Sequence, residues 1–321
     1  VAAGLNSNLK SHTILEMKNM LMHSLRKPVG LPRLLILGCG DVGMRLLPLL
    51  RARFRVFAVT SQPARCAQLR AAGAVPIVAN LDDRASLRRL AGLAPYVVHL
   101  APPQSAGLLD RRTRNLAAIL PERARLVYVS TSGVYGDCGG ATVAETRPVA
   151  PANARAKRRV DAEQVLRGWN ARRQGRLAIL RVPGIYAQDR LPLKRLHEGT
   201  PALAAGDDVY TNHIHADDLA RIIERALWRG KPGRVYHASD NSELKMADYF
   251  DAVADAFALP RPPRLPRAQL QQVVTPMLLS FMSESRRMDN TRIRRELGVR
   301  LRYRRVADAL RAMAASGAGI G

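Results

Sequence analysis

The sequence predicts an α/β protein, a doubly wound parallel sheet with a smaller mixed lobe. Short apolar segments alternate with helical ones from residue 33 onward, which is typical of βαβ crossovers and of a parallel sheet that is buried on both faces. The first apolar segment, Leu34–Leu37, stops at a Gly-x-Gly-x-x-Gly turn, and an apolar-periodic helical segment follows at once. Because such crossovers are right-handed, the strands should order as in a doubly wound sheet.

The remaining elements follow from the same alternation. The later strands are predicted at Arg55–Thr60, Val75–Ala79, Tyr96–Leu100, Leu126–Ser130, Arg176–Val182 and Arg234–Ala238. Helices are predicted at Pro63–Ala72, Asp83–Leu90, Asp110–Leu120, Ala154–Ala171, Asp217–Trp228, Lys245–Ala258, Asn290–Leu297 and Val306–Ala314. The Pro-rich stretch Pro260–Pro266 predicts a linker or a rigid turn.

The glycine turn is the strongest indication of function. Gly38 permits a tight turn, Gly40 lets a pyrophosphate approach the backbone, and Gly43 lets the helix pack closely on the strand. Asp41 and Val42 lie in the first helical turn, where free N–H groups and the positive end of the helix dipole face an anion. The turn therefore predicts dinucleotide binding. The alternative is a glycine-rich strand–helix turn without a ligand.

The chain divides into three predicted parts. Residues 1–32 form an N-terminal extension that we expect to be poorly ordered, as chain termini often are. They lack a continuous apolar region and a plausible cleavage site, so we do not expect a signal peptide there. Residues 33–180 form an NAD(P)-binding Rossmann core. Residues 181–321 hold the remaining core elements, interleaved with a substrate-side lobe.

Composition narrows the classes of partner. None of the apolar stretches in the 321 residues reaches the ~20 residues that span a membrane. The net charge is +25, with 44 arginines and 7 lysines spread over the whole length, which attracts phosphorylated ligands. The chain has no basic tail or recognised nucleic-acid motif, so the pattern disfavours a nucleic-acid partner. Three cysteines without metal-ligand spacing predict no metal site and a reducing, cytoplasmic location.

Six segments, taken in order, carry a resemblance to a known family. They are Gly38–Gly43, Asn80–Asp83, His99–Pro103, Val129–Gly136, Arg181–Tyr186 and Asn212–Ala220. Together they resemble the extended short-chain dehydrogenase/reductase superfamily, in its nucleoside-diphosphate-sugar epimerase/dehydratase group. The Gly-x-Gly-x-x-Gly form is similar to that of the atypical branch. The resemblance covers residues 33 to about 310 and implies an NAD(P) cofactor.

The resemblance also implies which residues bind the cofactor. In relatives the segment after the third strand lies near the adenine, which carries over to Asp82. The segment after the fourth strand lies beside the ribose and the nicotinamide, which carries over to Leu100, Ala101 and Pro102.

The end of the second strand indicates which dinucleotide is preferred. A carboxylate at that position favours NAD. Thr60 and Ser61 stand there instead, and Arg65 follows one helical turn later. These residues favour NADP over NAD, although relatives often place an arginine where this chain has Ser61.

Family chemistry uses a Ser/Thr and a Tyr-x-x-x-Lys pair. Thr131 stands at the Ser/Thr position. Anchoring the following helix on Glu163 puts Arg155 at the Tyr position and Arg159 at the Lys position, whereas anchoring on Lys157 puts Asn153 at the Tyr position. In neither register is there a tyrosine, and arginine does not exchange protons near neutral pH. The other groups considered for proton transfer are Tyr135, Tyr186, His213 and His215.

The basic pair Arg155 and Arg159 also predicts the charge of a ligand. Residues four apart share a helix face, and two fixed guanidinium groups there would hold a phosphate or a carboxylate. The alternative is a solvated start of the helix. Arg190, Asn212 and His213 match positions near the substrate lobe of relatives.

Two functions stay open from the sequence. One is an NAD(P)-binding oxidoreductase or epimerase-like protein without the Tyr-x-x-x-Lys pair, which acts on a nucleotide-sugar-like or other anionic small molecule. The other is a catalytically silent NADP-binding sensor or regulatory protein. Relatives often dimerise through the helices near Asp110 and Arg159, so the resemblance also implies a homodimer.

Overall fold

The fold is known from a computed structural model, which describes residues 30–315. The expectation for residues 1–32 therefore lies almost wholly outside the described part of the chain. The seven strands of the main sheet are β1 (Arg33–Leu37), β2 (Arg55–Thr60), β3 (Val75–Val78), β4 (Tyr96–His99), β5 (Arg125–Thr131), β7 (Arg176–Val182) and β12 (Arg234–His237). The short strands are β6 (Thr142–Val143), β8 (Gly184–Tyr186), β9 (Ala202–Leu203), β10 (Tyr210–Thr211), β11 (His213–His215), β13 (Leu244–Lys245), β14 (Arg264–Leu265) and β15 (Arg287–Met288).

The main sheet is parallel throughout and has the order β12-β7-β5-β4-β1-β2-β3. The predicted α/β class with a doubly wound parallel sheet is confirmed. From β1 the chain builds outward through β2 and β3, and then returns to add β4 on the other side of β1. The direction of winding reverses between β1 and β4, and ligands of such sheets bind at the carboxyl ends of the strands at this point.

Eleven α-helices lie within residues 30–315. They are α1 (Asp41–Leu50), α2 (Cys66–Ala71), α3 (Arg111–Ala117), α4 (Ala154–Arg172), α5 (Leu193–His197), α6 (Ala216–Arg229), α7 (Met246–Ala256), α8 (Arg267–Val273), α9 (Pro276–Phe281), α10 (Thr291–Leu297) and α11 (Val306–Ala315). Short 3₁₀ turns occur at Pro63–Arg65, Ala85–Leu90, Ser132–Tyr135 and Gln188–Arg190.

Two predicted segments, one helix and one linker, differ from the observed elements. The segment predicted as Asp83–Leu90 is a 3₁₀ turn, because Ser86 Oγ bonds to the carbonyl oxygens of Asn80 and Asp83 and tightens the chain. The stretch Pro260–Pro266 is more than a linker. Its last residues form β14, which pairs in parallel with β9.

The core follows from the alternation of side chains along the strands. In β1, Leu34 and Ile36 belong to the apolar cluster on one face of the sheet, and Leu35 and Leu37 belong to the cluster on the other face. A third cluster, around Phe250, joins α5, α7, α8 and α11 into the smaller lobe. No helix in the described part of the chain is both long and apolar enough to cross a membrane.

Candidate functional site

The three glycines of the first turn have three different surroundings. Gly38 has a φ of +80°, and a Cβ built on it would lie 2.6 Å from the backbone N and Cα of Ala101. A Cβ on Gly43 would lie 2.9 Å from Cys39 Sγ, so this glycine allows α1 to pack on the turn. A Cβ on Gly40 would meet nothing within 4 Å. The open space is therefore at the second glycine, where a pyrophosphate is expected to approach.

The first turn of α1 carries an acidic side chain whose charge is already paired. Arg45 Nε lies 2.9 Å from Asp41 Oδ1, and Arg190 Nη1 lies 3.0 Å from Asp41 Oδ2. Burial raises the pKa of Asp41, but the hydrogen bonds from Arg190 and Arg45 outweigh it, and the pKa lies below its usual value. Asp41 and Val42 thus lie at the end of the helix where the backbone N–H groups are free. The negative charge of Asp41 is balanced by Arg45 and Arg190.

A cavity of about 300 Å³, here called the glycine-turn cavity, opens beside these glycines. Predicted cofactor residues that line it are Gly38, Gly40, Thr60, Ser61, Arg65, Ala101 and Pro102. Arg65 Nη1 donates to the carbonyl oxygen of Cys39 at 2.8 Å, which holds its guanidinium at the wall. The carboxyl end of β2 contributes no acidic side chain to this wall.

Asp82 is paired with an arginine and does not itself line the glycine-turn cavity. Arg112 holds its carboxylate at both oxygens, with Nη2 at 2.6 Å and Nε at 3.0 Å. The cavity is lined instead by Asn80 and Leu81, which precede it, and by Arg112. Leu100 packs against Gly43 and does not line the cavity.

A larger cavity of about 520 Å³, here called the lobe cleft, lies between the carboxyl ends of β5 and β8 and the smaller lobe. It brings together seven of the candidate residues from the sequence, and their list is Thr131, Arg155, Arg159, Tyr186, Arg190, Asn212 and His213. Sequence reasoning did not find the lobe side of the wall, which includes Arg195, Tyr249, Phe250, Phe281, Glu284 and Arg286.

Tyr135 does not line either cavity. Its side chain is buried, and its hydroxyl lies 2.6 Å from His237 Nε2 and accepts from Arg181 Nη1 at 2.7 Å. Burial raises its pKa although the Arg181 charge opposes this. The 3₁₀ turn Ser132–Tyr135 directs the tyrosine into the core. The geometry therefore gives no support to Tyr135 as a group that touches a ligand.

The register of α4 follows from a buried carboxylate. Glu163 pairs with Arg181 at 2.7 Å and accepts from Ser130 Oγ at 2.7 Å. One and two turns earlier, Arg159 and Arg155 line the lobe cleft, whereas Lys157 is exposed outside it. These positions favour the register anchored on Glu163, in which Arg155 takes the Tyr position and Arg159 takes the Lys position. Asn153 lines the cleft too, as the N-cap of α4.

The two arginines are held differently. Arg159 Nη1 donates to Tyr128 Oη at 3.0 Å and to the carbonyl oxygen of Val129 at 3.1 Å. Arg155 makes no hydrogen bond to a described residue, and its Cζ lies 4.5 Å from the centroid of the Phe281 ring. Burial lowers the pKa of Arg155, partly offset by the charge of Glu284.

The histidines and the asparagine near the cleft are held by neighbouring groups of the protein. His213 is buried and stacks on Tyr249 with ring centroids 4.2 Å apart, and burial lowers its pKa to about 3. His215 accepts from the backbone N–H of Asp217 and caps α6, as expected for a residue that shapes the start of that helix. Asn212 uses its amide on the backbone of Arg286 and Met288, so it holds β15 in place.

Two arginines join the cavities. Arg159, in the lobe cleft, lies 3.5 Å from the carbonyl oxygen of Ala101, which lines the glycine-turn cavity. Arg190, also in the cleft, binds Asp41 at the start of α1. The cavities therefore adjoin at the carboxyl ends of β1, β4 and β5, and ligands in both would meet beside Arg159 and Thr131.

The model of the RmlD substrate binding domain family matches residues 33–315. The chain belongs to this family. It is 24% identical over 172 residues to a dTDP-glucose 4,6-dehydratase of an Actinoplanes species, a match that covers 51% of this chain and 54% of the relative. A human dTDP-D-glucose 4,6-dehydratase is 25% identical over 130 residues, 38% of this chain and 37% of the relative. The chain thus matches about a third to a half of the length of these curated relatives.

Solved structures agree with the fold. A functionally unknown conserved protein from Silicibacter pomeroyi is 30% identical, with a TM-score of 0.74, over 89% of this chain and 99% of that one. A dTDP-glucose 4,6-dehydratase from Streptomyces venezuelae, solved with NAD bound, is 21% identical, with a TM-score of 0.70, over 88% of this chain and 96% of that one. The expected membership of an epimerase/dehydratase-like short-chain dehydrogenase family is confirmed.

Two arginines of α4, Arg155 and Arg159, line the cleft where the resemblance implies a tyrosine and a lysine. Thr131 keeps its place at the end of β5, and its Oγ1 accepts from the backbone N–H of Gly133. A hydroxyl that accepts one bond still has its own proton to donate.

Proposed function

We propose that this protein is an NADP-dependent oxidoreductase of the epimerase/dehydratase type, which binds the dinucleotide in the glycine-turn cavity and an anionic small molecule in the lobe cleft. The observation that carries the proposal is the junction of the two cavities at Arg159. Because hydride transfer needs contact between dinucleotide and substrate, the reacting atoms would lie at this junction.

The residues present fit a dinucleotide. The open side of Gly40 and the first turn of α1 would hold the pyrophosphate. Asn80 and Leu81 would lie against the adenine. Thr60, Ser61 and Arg65 would surround the ribose 2′ position, where a guanidinium and hydroxyls suit a phosphate better than a free hydroxyl. We therefore propose NADP over NAD.

The chain's own groups would orient and polarise a substrate. The bound nicotinamide would supply or accept a hydride. Thr131 would donate a hydrogen bond to the reacting oxygen, and Arg155 and Arg159 would stabilise negative charge that develops there. Neither arginine moves a proton at neutral pH, so the proton would be exchanged with water. We expect slow turnover, because a positioned acid or base contributes typically 10²–10⁴-fold.

The place of Tyr135 favours a second candidate. With that hydroxyl held by His237 and Arg181, and His213 kept neutral by burial, neither Tyr135 nor His213 is placed to exchange a proton with a ligand in the cleft. A catalytically silent NADP-binding sensor would need only the two cavities. Turnover with any carbonyl compound or sugar nucleotide would exclude this candidate.

Titration calorimetry with NADP⁺, NADPH, NAD⁺ and NADH tests what both candidates share. Arg65→Ala should weaken NADP⁺ binding about 10-fold or more and NAD⁺ binding little, since only NADP⁺ carries the 2′-phosphate. Arg70→Ala is the matched control, because Arg70 is an exposed arginine outside the cavity, on the helix α2 that directly follows Arg65. If none of the four dinucleotides binds, both candidates are wrong.

A further inference from the structure

The arginines of the lobe cleft differ in how their charge is balanced. Arg190 is paired with Asp41, and Arg286 with Glu284 at 2.9 Å. Arg159 donates hydrogen bonds to the hydroxyl of Tyr128 and to the backbone carbonyl oxygen of Val129. The two that remain, Arg155 and Arg195, form no ion pair with any carboxylate among residues 30–315.

Arg155 belongs to the end of the cleft where the cavities meet. It stands one helical turn from Arg159 on the same face of α4, and Arg159 reaches the carbonyl oxygen of Ala101 in the neighbouring cavity. Its guanidinium rests on the Phe281 ring and keeps its donors free. A planar fork with free donors is suited to bidentate binding of a carboxylate or phosphate.

Arg195 belongs to the lobe wall. Its Cζ lies 4.1 Å from the centroid of Phe250, one Nη donates to the carbonyl oxygen of Pro201, and its Nε is buried without a partner. Burial lowers its pKa to about 10, so it stays charged at neutral pH without a counter-ion. A half-buried charge without a counter-ion is costly, and an anionic ligand group would offset that cost.

We propose that the cleft takes an organic acid with two negative groups: a carboxylate next to the reacting carbon, held by Arg155, and a second negative group against Phe250, held by Arg195. This inference rests on the proposed function for the position of the reacting carbon. The proposed ligand carries a negative charge next to its reacting carbon. A nucleotide sugar differs, because its charge is on a diphosphate that is distant from the reacting carbon.

Three small probes separate the two charges. 3-Phosphoglycerate carries a carboxylate next to its carbinol carbon and a phosphate at the far end. Glycerol 3-phosphate lacks the carboxylate, and glycerate lacks the phosphate. Calorimetry in the presence of saturating NADP⁺ should show 3-phosphoglycerate binding about 10-fold or more tightly than either of the other two, since each of those lacks one charged, hydrogen-bonded contact.

Two variants assign the charges to residues. Arg155→Met keeps an apolar stem on Phe281 and should abolish the preference for 3-phosphoglycerate over glycerol 3-phosphate. Arg195→Met should abolish the preference for 3-phosphoglycerate over glycerate. It should leave the preference for 3-phosphoglycerate over glycerol 3-phosphate in place. Lys157→Ala, an exposed change on the same helix, should alter neither. Circular dichroism of each variant checks that it is folded.

The outcomes for the two proposals are separable. If NADP⁺ itself does not bind, the proposed function fails. If NADP⁺ binds but glycerol 3-phosphate and glycerate bind as tightly as 3-phosphoglycerate, or if none of the three binds, the inference is wrong and the proposed function stands. A preference that survives Arg155→Met overturns the assignment of the reacting-end charge.

Discussion

Arg181 and Glu163 form a buried ion pair, with 2.7 Å between Nη2 and Oε2 and both side chains only 5% exposed. The pair ties the middle of α4 to the carboxyl end of β7, and Ser130 Oγ ties the same carboxylate to β5. With Glu163 fixed, Arg159 one turn earlier reaches the carbonyl oxygen of Val129. The position of the cleft arginines is therefore a consequence of a pair that lies in the core.

Glu163→Ala should destabilise the fold by about 3–5 kcal/mol, because it leaves the Arg181 charge buried and unpaired. Urea denaturation followed by circular dichroism measures this loss. Glu122→Ala is the control, since Glu122 pairs with Arg173 at an exposed site and should change the free energy of unfolding by no more than about 1 kcal/mol. Equal losses in the two variants would show that burial does not decide the cost.

Two glycine substitutions should separate folding from ligand binding. Gly38→Ala should destabilise the fold by about 2 kcal/mol or more, since it combines a positive φ with a collision against Ala101. Gly40→Ala should stay within about 1 kcal/mol of the parent, because its φ is −80° and its Cβ would point into open space. It should nevertheless weaken dinucleotide binding about 10-fold or more, because the methyl group would occupy the expected path of the pyrophosphate.

Thermal unfolding and calorimetry on the same preparations check this pair of expectations. A Gly40→Ala variant that is stable and binds NADP⁺ as tightly as the parent would place the pyrophosphate elsewhere. A Gly38→Ala variant as stable as the parent would mean that the turn can shift away from Ala101.

The sheet could be predicted because its signals are local. Short apolar segments alternate with helical segments, and this pattern predicts β2 and β7 with the bounds that the structure has. It predicts the ends of the other main strands to within one or two residues. The two-residue strands could not be predicted. β15 pairs with β6 across more than a hundred residues of sequence, and neither segment has a periodicity of its own.

The candidate site likewise has one part that local sequence patterns predict and one part that they do not. The glycine turn and the end of β2 lie close together in sequence, and one cavity is lined by predicted residues from both, namely Gly38, Gly40, Thr60, Ser61 and Arg65. The lobe wall does not follow from any local pattern. Phe281 and Arg195 come together with Arg155 only through the packing of α5, α7 and α9, and no motif marks them. The burial of Tyr135 could not be predicted, because spacing in a sequence does not reveal to which side of a 3₁₀ turn a side chain points.

Buried histidines should make the protein sensitive to acid. Burial lowers the pKa of His99 and His213 to about 3 and that of His237 to about 4, against about 6.5 in an unfolded chain. Below pH 6.5 the unfolded chain thus binds protons that the folded chain does not. Stability should be fully present above pH 6.5 and fall toward pH 4, by about 1.4 kcal/mol per pH unit for each imidazole. The carboxyl of Asp240, whose pKa burial raises to about 7, acts in the opposite direction between pH 4 and 7.

His213→Phe tests the contribution of one of these histidines to the pH dependence of stability. The ring keeps its stacking on Tyr249, and the buried Nδ1 that has no partner is removed. Urea denaturation at several pH values between 4 and 7 should show a slope of stability against pH that is lower than that of the parent by about one proton. His197→Phe, at an exposed position, should leave the slope unchanged. An unchanged slope in His213→Phe would mean that the folded protein accepts a proton at His213 as readily as the unfolded chain does.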